Sequence, residues 1–462
     1  MTAPLLLEPE LLFDGSQLLR GQRLGVDGTG RVVPASTLPE GTALLRLPGK
    51  VLLPGWVNAH SHAFQRLIRG RTEFLAPGRA RDDFWSWRER MYQAANALGP
   101  EDVYAASRQA FLEMALAGVT TVGEFHYLHH APDGQRYADE SELSLQVIRA
   151  AREVGLRIVL LRVGYARAGF NLPPNPLQRR FHDVDVATFL GATESLRAKT
   201  RADLAVTVGL APHSVRAVPR AWLTEVARVK DTVIHMHVAE QSAEVEACEA
   251  ESGLRPVDLL SDVGLLSPRF TAVHGIELNP AEMDRLGSAG ASVCACPSTE
   301  RNLGDGVVPV DLLRASGVRV CLGSDSQVEV DLLSEARLLE GNLRLMRKRR
   351  AVLDDGTSGP EALALRLLQS ATCSGAESLG IPAGRLAPGE WADAVTLDLG
   401  HPSLAGFSLA SGLAQLVFGA SAGAVQDVFV AGRAVVQEGR HVLQEEIHTV
   451  FNQLTQRVFP NE

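Results

Sequence analysis

The sequence predicts an α/β fold: a (β/α)8 TIM-like barrel with a small β-sandwich domain built from both termini. Three observations carry this expectation. From Val51 to Leu322, short β-rich runs alternate with helical patterns, the signature of βαβ units. The two ends of the chain instead consist of short apolar pieces punctuated by turn residues. Chemistry-bearing side chains gather where the middle strands end, the face on which such barrels place their sites.

At the N-terminus, "LLFDGSQLLRGQRLGVDGTGRVVP" breaks its apolar pieces with Asp-Gly, Gly-Gln and Gly-Thr-Gly, as hairpins do. Gly384–Leu399 and Val425–Arg440 have the same character, with Ala431-Gly432 as a hairpin turn. Residues 1–53 and 382–440 are therefore expected to form one composite β domain. Residues 54–381 form the barrel, and 441–462 a helical tail packing on it. Barrel strands are expected near Val51–Asn58, Val119–Phe125, Arg157–Val163, Leu204–Leu210, Thr232–Val238, Phe270–Val273, Ser292–Cys296 and Val318–Leu322. Between the first two, "EDVYAASRQAFLEMALAG" places Ala105, Phe111, Leu112, Ala115 and Leu116 on one helical stripe and ends at Gly118, a C-cap residue. A doubly wound open sheet is the alternative arrangement of the same elements.

Composition narrows the function. The chain has 462 residues, 45% hydrophobic, and a net charge of −9. With that net charge the chain lacks the broad basic footprint that nucleic acid requires. "MTAPLLLEPELLFDG" lacks the charged start of a signal peptide, and no apolar stretch reaches bilayer length. Five sparse cysteines suit a reducing cytosol, so a cytoplasmic protein is expected. Cys294 and Cys296 read as small core residues of a strand rather than as a zinc pair.

The strand ends are the informative part. The first ends in "NAHSH", giving His60 and His62; extended residues two apart share one side. The second ends in "GEFHY" (Glu124, His126, Tyr127), the fourth in "APHSVR" (His213, Arg216) and the fifth in "IHMHVAE" (His235, His237, Glu240). The sixth ends in "VHG" (His274) and the eighth in "GSDS" (Asp325). A barrel would bring His60, His62, His237 and Asp325 together, a nitrogen and oxygen set that suits Zn2+ or Fe2+. His235 reads as structural, His126, His129 and His130 as loop residues, and His182, His401, His441 and His448 as surface residues.

This order of His-x-His, His, His and Asp resembles the amidohydrolase superfamily, across nearly the whole chain. That resemblance implies a metal-dependent hydrolase. Two-metal members add a bridging Lys or Glu from strand three or four. "RIVLLRVGY" and "LAVTVGLAPHS" contain no Lys, so one divalent ion per subunit, by default Zn2+, is expected. "HSHAFQR", "FWSWRERMY", "GEFHYLHH", "APHSVRAV", "HMHVAEQ" and "GSDSQV" are further similar to members that hydrolyse a formimino group. The implied reaction converts N-formimino-L-glutamate to N-formyl-L-glutamate and ammonia, a step of histidine degradation, through hydroxide formed at the metal.

The resemblance also distributes roles. Glu240 would move protons between the water and the departing nitrogen. His274 would hydrogen-bond the water or tetrahedral centre, and Asp325 would ligate the metal and accept a proton. Arg88 and Arg216 would pair with substrate carboxylates, since Arg does so in bidentate fashion. Tyr127 would donate to the same carboxylates; Gln65 and His213 would contact the formimino end or the water. Trp85 and Trp87 read as packing, and the loop Phe74–Asp83 carries no role. The substrate is then a small dicarboxylate, with no nucleic-acid or membrane partner and a homodimer as the family-based assembly. The competing readings are a purine, pterin or adenosyl deaminase, an imidazolonepropionate-type ring hydrolase and a scaffold without catalysis. The aromatic content of 5% speaks against flat bases.

Overall fold

The computed structural model describes residues 3–75, 78, 82–172 and 175–460. Eight parallel strands form one sheet in strict chain order: β1 (Trp56–Ser61), β2 (Val119–His126), β3 (Arg157–Gly164), β4 (Val206–Pro212), β5 (Ile234–Val238), β6 (Phe270–His274), β7 (Ser292–Ala295) and β8 (Arg319–Leu322). An open sheet would leave β1 and β8 as edges. Instead the chain just beyond β8 pairs with β1: Asp325 N–H donates to His60 O, and His62 N–H to Asp325 O, each at 3.0 Å. The ring is closed, and the alternative of a doubly wound sheet is removed. Buried on both faces, most of these strands are near-continuous apolar runs, which is why they were legible.

The expected strand Val51–Asn58 is in fact two. Ala43–Pro54 belongs to the terminal sheet, and β1 restarts at Trp56. Gly55 makes the break: a Cβ there would lie 2.2 Å from Thr120 Cγ2, so only glycine allows the chain to pass from one sheet into the other. The helix Pro100–Leu116 opens with Pro at its first position, and Asp102 accepts from the Gly99 N–H at 2.9 Å. It ends before Gly118, whose φ of 93° closes the helix in the left-handed region.

Both termini contribute to one mixed sheet of eight strands. Leu5–Phe13 runs parallel to Ala43–Pro54, which pairs antiparallel with Ala394–Asp398. Val425–Val430 and Arg433–Val436 extend that edge. Ala431 and Gly432 take φ of 49° and 74°, the two positive values a tight hairpin turn needs. The sheet has its own apolar cluster, including Leu7, Leu12, Val26, Leu52 and Phe429. A buried Arg157–Asp393 pair at 3.1 Å ties it to the barrel. The helix Gln444–Val458 buries Ile447, Phe451 and Leu454 and packs on Pro100–Leu116; residues 461 and 462 lie outside the described ones.

One further expectation changes. His441 is buried rather than at the surface: its Nε2 donates to the Val154 carbonyl at 3.0 Å, and Nδ1 accepts from the Leu443 N–H. Of the loop Phe74–Asp83, residues 76, 77 and 79–81 lie outside the described ones. Among the described residues no helix is long and apolar enough to cross a membrane. All five cysteines are buried free thiols, with Cys294, Cys296 and Cys321 packed against Ala59 and Val273.

Candidate metal-dependent active site

The closed ring brings His60, His62, His237 and Asp325 to one point, with donor atoms all within 4.8 Å of one another. Asp325 Oδ1 lies 3.1 Å from His62 Nε2 and 3.4 Å from His60 Nε2; the Nε2 atoms of His60 and His237 are 3.2 Å apart. The outer ring nitrogens show what the inner ones are. His62 Nδ1 faces the Phe125 carbonyl at 2.9 Å, and His237 Nδ1 faces the His213 carbonyl at 3.1 Å. A carbonyl only accepts, so each Nδ1 carries the hydrogen and each Nε2 turns a lone pair inward. Burial lowers the pKa of His60 to about 3 and holds His237 well below its ordinary value. Lone pairs and a carboxylate crowded together in a buried site repel unless a cation sits among them, so the residues present fit a divalent metal. Asp325 sits at φ 48° and His274 at φ 71°, backbone strain at the functional strand ends.

Beside this cluster runs a chain of charges. Glu240 Oε1 lies 3.5 Å from His274 Nε2, and Asp325 Oδ2 lies 3.7 Å from the same nitrogen. Arg216 Nη2 donates to Glu240 Oε2 at 3.3 Å and its Nε to Glu244 Oε2 at 2.8 Å. Glu244 also accepts the Ala239 N–H at 2.9 Å. On the far side of its ring, His274 Nδ1 meets Glu300 Oε1 at 3.3 Å. Burial works against a charged His274, but Glu240, Glu300 and Asp325 outweigh it and raise its pKa to about 10.

A cleft opens over the cluster. Gln65, Arg88, Tyr127, His213 and Arg216, the expected substrate-contacting residues, all line it with Glu240 and His274. Gln65 Nε2 donates to the Tyr127 hydroxyl at 2.7 Å, while its buried Oε1 has no partner among the described residues. Arg88 lies on aromatic faces, 4.5 Å from the Trp85 ring and 5.6 Å from the Tyr92 ring, with no carboxylate partner among the described residues. Trp87, expected only to pack, is part of the cleft wall, as are Tyr92, Tyr165 and Phe181, which the sequence did not single out.

Three buried carboxylates escaped assignment of a role. Glu124 accepts from Ser61 Oγ at 2.6 Å and from the Ala63 N–H at 2.7 Å, bracing both neighbours of His62; burial raises its pKa to about 7. Glu244 follows Glu240 by four residues, a spacing that can signal a pair acting on one arginine. Glu300 follows Cys296 by four and accepts its N–H at 2.7 Å. Donor atoms of His274, Cys296 and Glu300 also lie within 4.8 Å of one another. That group does not suit a metal. Burial holds the Cys296 thiol well above its ordinary pKa, and Glu300 Oε1 is already engaged.

The remaining histidines are structural. His235 Nε2 donates to the Ser378 carbonyl at 2.9 Å. His129 donates to Val163 O and His130 to His182 O, each at 2.8 Å, so these rings turn to backbone rather than to a shared ion. Burial lowers His126 to about 3. The unfolded chain takes up this proton as pH falls through about 6.5, while the folded chain does not, so stability declines below that pH. At pH 5.5 the penalty from one such histidine is about 1.4 kcal/mol. Urea unfolding of His126→Gln should therefore lose less stability between pH 7.5 and 5.5 than the parent chain does, by about that amount.

A family model described as the amidohydrolase family matches residues 51–435. The chain belongs to the amidohydrolase family and is a hydrolase of that superfamily. Over 410 residues it is 40% identical to formimidoylglutamate deiminase of Pseudomonas aeruginosa, covering 88% of this chain and 89% of that one. It is 30% identical to 5'-deoxyadenosine deaminase of Methanothermobacter thermautotrophicus, over 96% and 95% of the two chains. Among solved structures, an amidohydrolase from Brucella melitensis superposes with a TM-score of 0.88 at 34% identity, covering 99% of this chain and 100% of that one.

Proposed function

We propose that the protein hydrolyses the formimino group of N-formimino-L-glutamate, giving N-formyl-L-glutamate and ammonia, as a cytoplasmic step of histidine degradation. The observation that carries this reading is Arg88, which shares one cleft with the metal-type cluster and has no carboxylate partner among the described residues. A half-buried guanidinium in that state suits a substrate carboxylate, and a small diacid amidine supplies one. The similarity to formimidoylglutamate deiminase points the same way.

A divalent ion, Zn2+ by its donor set, held by His60, His62, His237 and Asp325 would lower the pKa of water at its open position towards 7. The protein's own groups do the rest. Arg216 holds Glu240 Oε2 and leaves Oε1 towards His274, which places Glu240 to take the water's proton and deliver it to the departing nitrogen. His274 Nε2 donates to the oxygen that develops charge at the attacked carbon. The unpaired Gln65 Oε1 accepts a substrate N–H. The C–NH2 bond of the tetrahedral centre breaks, and the balance is R–NH–CH=NH plus water giving R–NH–CHO plus NH3.

Arg88→Met is expected to lower kcat/KM for N-formimino-L-glutamate by about 100-fold, mostly through KM, since truncating one partner of a desolvated charge pair costs about 2–5 kcal/mol. Unchanged kinetics would detach the carboxylate from Arg88. The similarity to 5'-deoxyadenosine deaminase supports a second reading, and wild-type turnover of that nucleoside above that of N-formimino-L-glutamate would select it.

A further inference from the structure

We propose that Glu300 is the positioning residue for His274: it fixes the plane of the ring by holding Nδ1–H, and so presents Nε2–H to the reacting atoms. The inference rests on the reading above in one respect, that His274 Nε2 meets substrate.

The geometry is specific. Glu300 lies on the short helix Pro297–Leu303 that follows β7, and its side chain folds back to the helix start. Its Oε1 accepts the Cys296 N–H at 2.7 Å and faces His274 Nδ1 at 3.3 Å. The backbone N–H anchors the oxygen, so the oxygen anchors the ring rather than the reverse. A carboxylate facing Nδ1 accepts the hydrogen on that nitrogen and leaves Nε2–H free to donate. The ring then has a single orientation, with Nε2 towards Glu240 and Asp325 at 3.5 and 3.7 Å. This restraint is needed because His274 sits at φ 71°, where its backbone is strained and the ring is not set by strand geometry. Glu300 is buried, and its donor atoms are not among the four that converge on the metal position. Its effect on chemistry therefore passes through His274, as the carboxylate partner of a metal-site or catalytic histidine acts through the ring it holds.

The test has three readouts. Glu300→Ala should lower kcat by about 10–100-fold, with KM within threefold and with the same metal content per chain after dialysis. Glu300→Gln keeps an oxygen at the same place and should recover kcat to within about fivefold of wild type. Should Glu300→Ala not fold, histidine-selective 15N spectra of the wild-type protein decide, with His274 assigned by its loss in His274→Gln. A hydrogen on Nδ1 is expected. A His274 ring bearing its hydrogen on Nε2 alone, or a kcat for Glu300→Ala within twofold of wild type, would overturn the proposal. Equal losses in the Ala and Gln variants would also overturn it, since position would then not be what matters. These outcomes are separate from failure of the substrate assignment, which would show as absent wild-type turnover of N-formimino-L-glutamate with the 15N pattern intact.

Discussion

Replacing Glu240 by glutamine is expected to lower kcat by about 100- to 10,000-fold, the range in which positioned proton transfer contributes. That corresponds to about 3–5 kcal/mol of barrier. The substitution is interpretable because Glu240 is not among the four converging donors, so metal content should stay at the wild-type level. A glutamine oxygen can still accept from Arg216 Nη2, as Glu240 Oε2 does at 3.3 Å, so the side chain keeps its place and loses only the ability to carry a proton. KM should change little, since the interaction lost is one made in the transition state. Single-turnover kinetics with metal analysis on the same sample would check it. A kcat within tenfold of the parent's would remove Glu240 from the proton path.

Asp325→Asn should be the more destructive change. It removes the one anionic ligand from a set of three neutral imidazoles and takes from His274 one of the carboxylates that face it. Asparagine accepts the φ of 48° at this position as readily as aspartate, so the loss will not come from backbone strain. We expect metal content after dialysis to fall by at least half and kcat/KM to fall by about 1,000-fold or more at saturating metal, because both charge neutralisation of the ion and proton acceptance are lost. Full occupancy with near-normal turnover would show that Asp325 is not a ligand.

Much of this site was legible because strands announce where they end. His60 and His62, two apart in an extended segment, had to share one side, and the barrel pattern implied that His237, His274 and Asp325 would meet them. What was not legible depended on loops and on partners distant in sequence. Glu300 reaches His274 only because a helix after β7 turns back on its own start. Tyr92, Tyr165 and Phe181 line the cleft from a helix and a loop whose approach no periodicity encodes. The break at Gly55 was hidden in a continuous apolar run, since two successive buried strands read like one. His441 was misread for a related reason: a polar tail segment gives no sign that a backbone carbonyl from another element awaits its ring. Arg216 was expected to pair with a substrate carboxylate, and its engagement by Glu240 and Glu244 required knowing that the ends of β4 and β5 lie side by side.

The central claim is tested most directly by incubating the zinc-loaded protein with N-formimino-L-glutamate in H2 18O and identifying every product. The account predicts one equivalent of ammonia and N-formyl-L-glutamate with a single 18O in its formyl group. Formamide and glutamate would contradict it, because the wrong nitrogen would then have left, and so would the absence of any turnover.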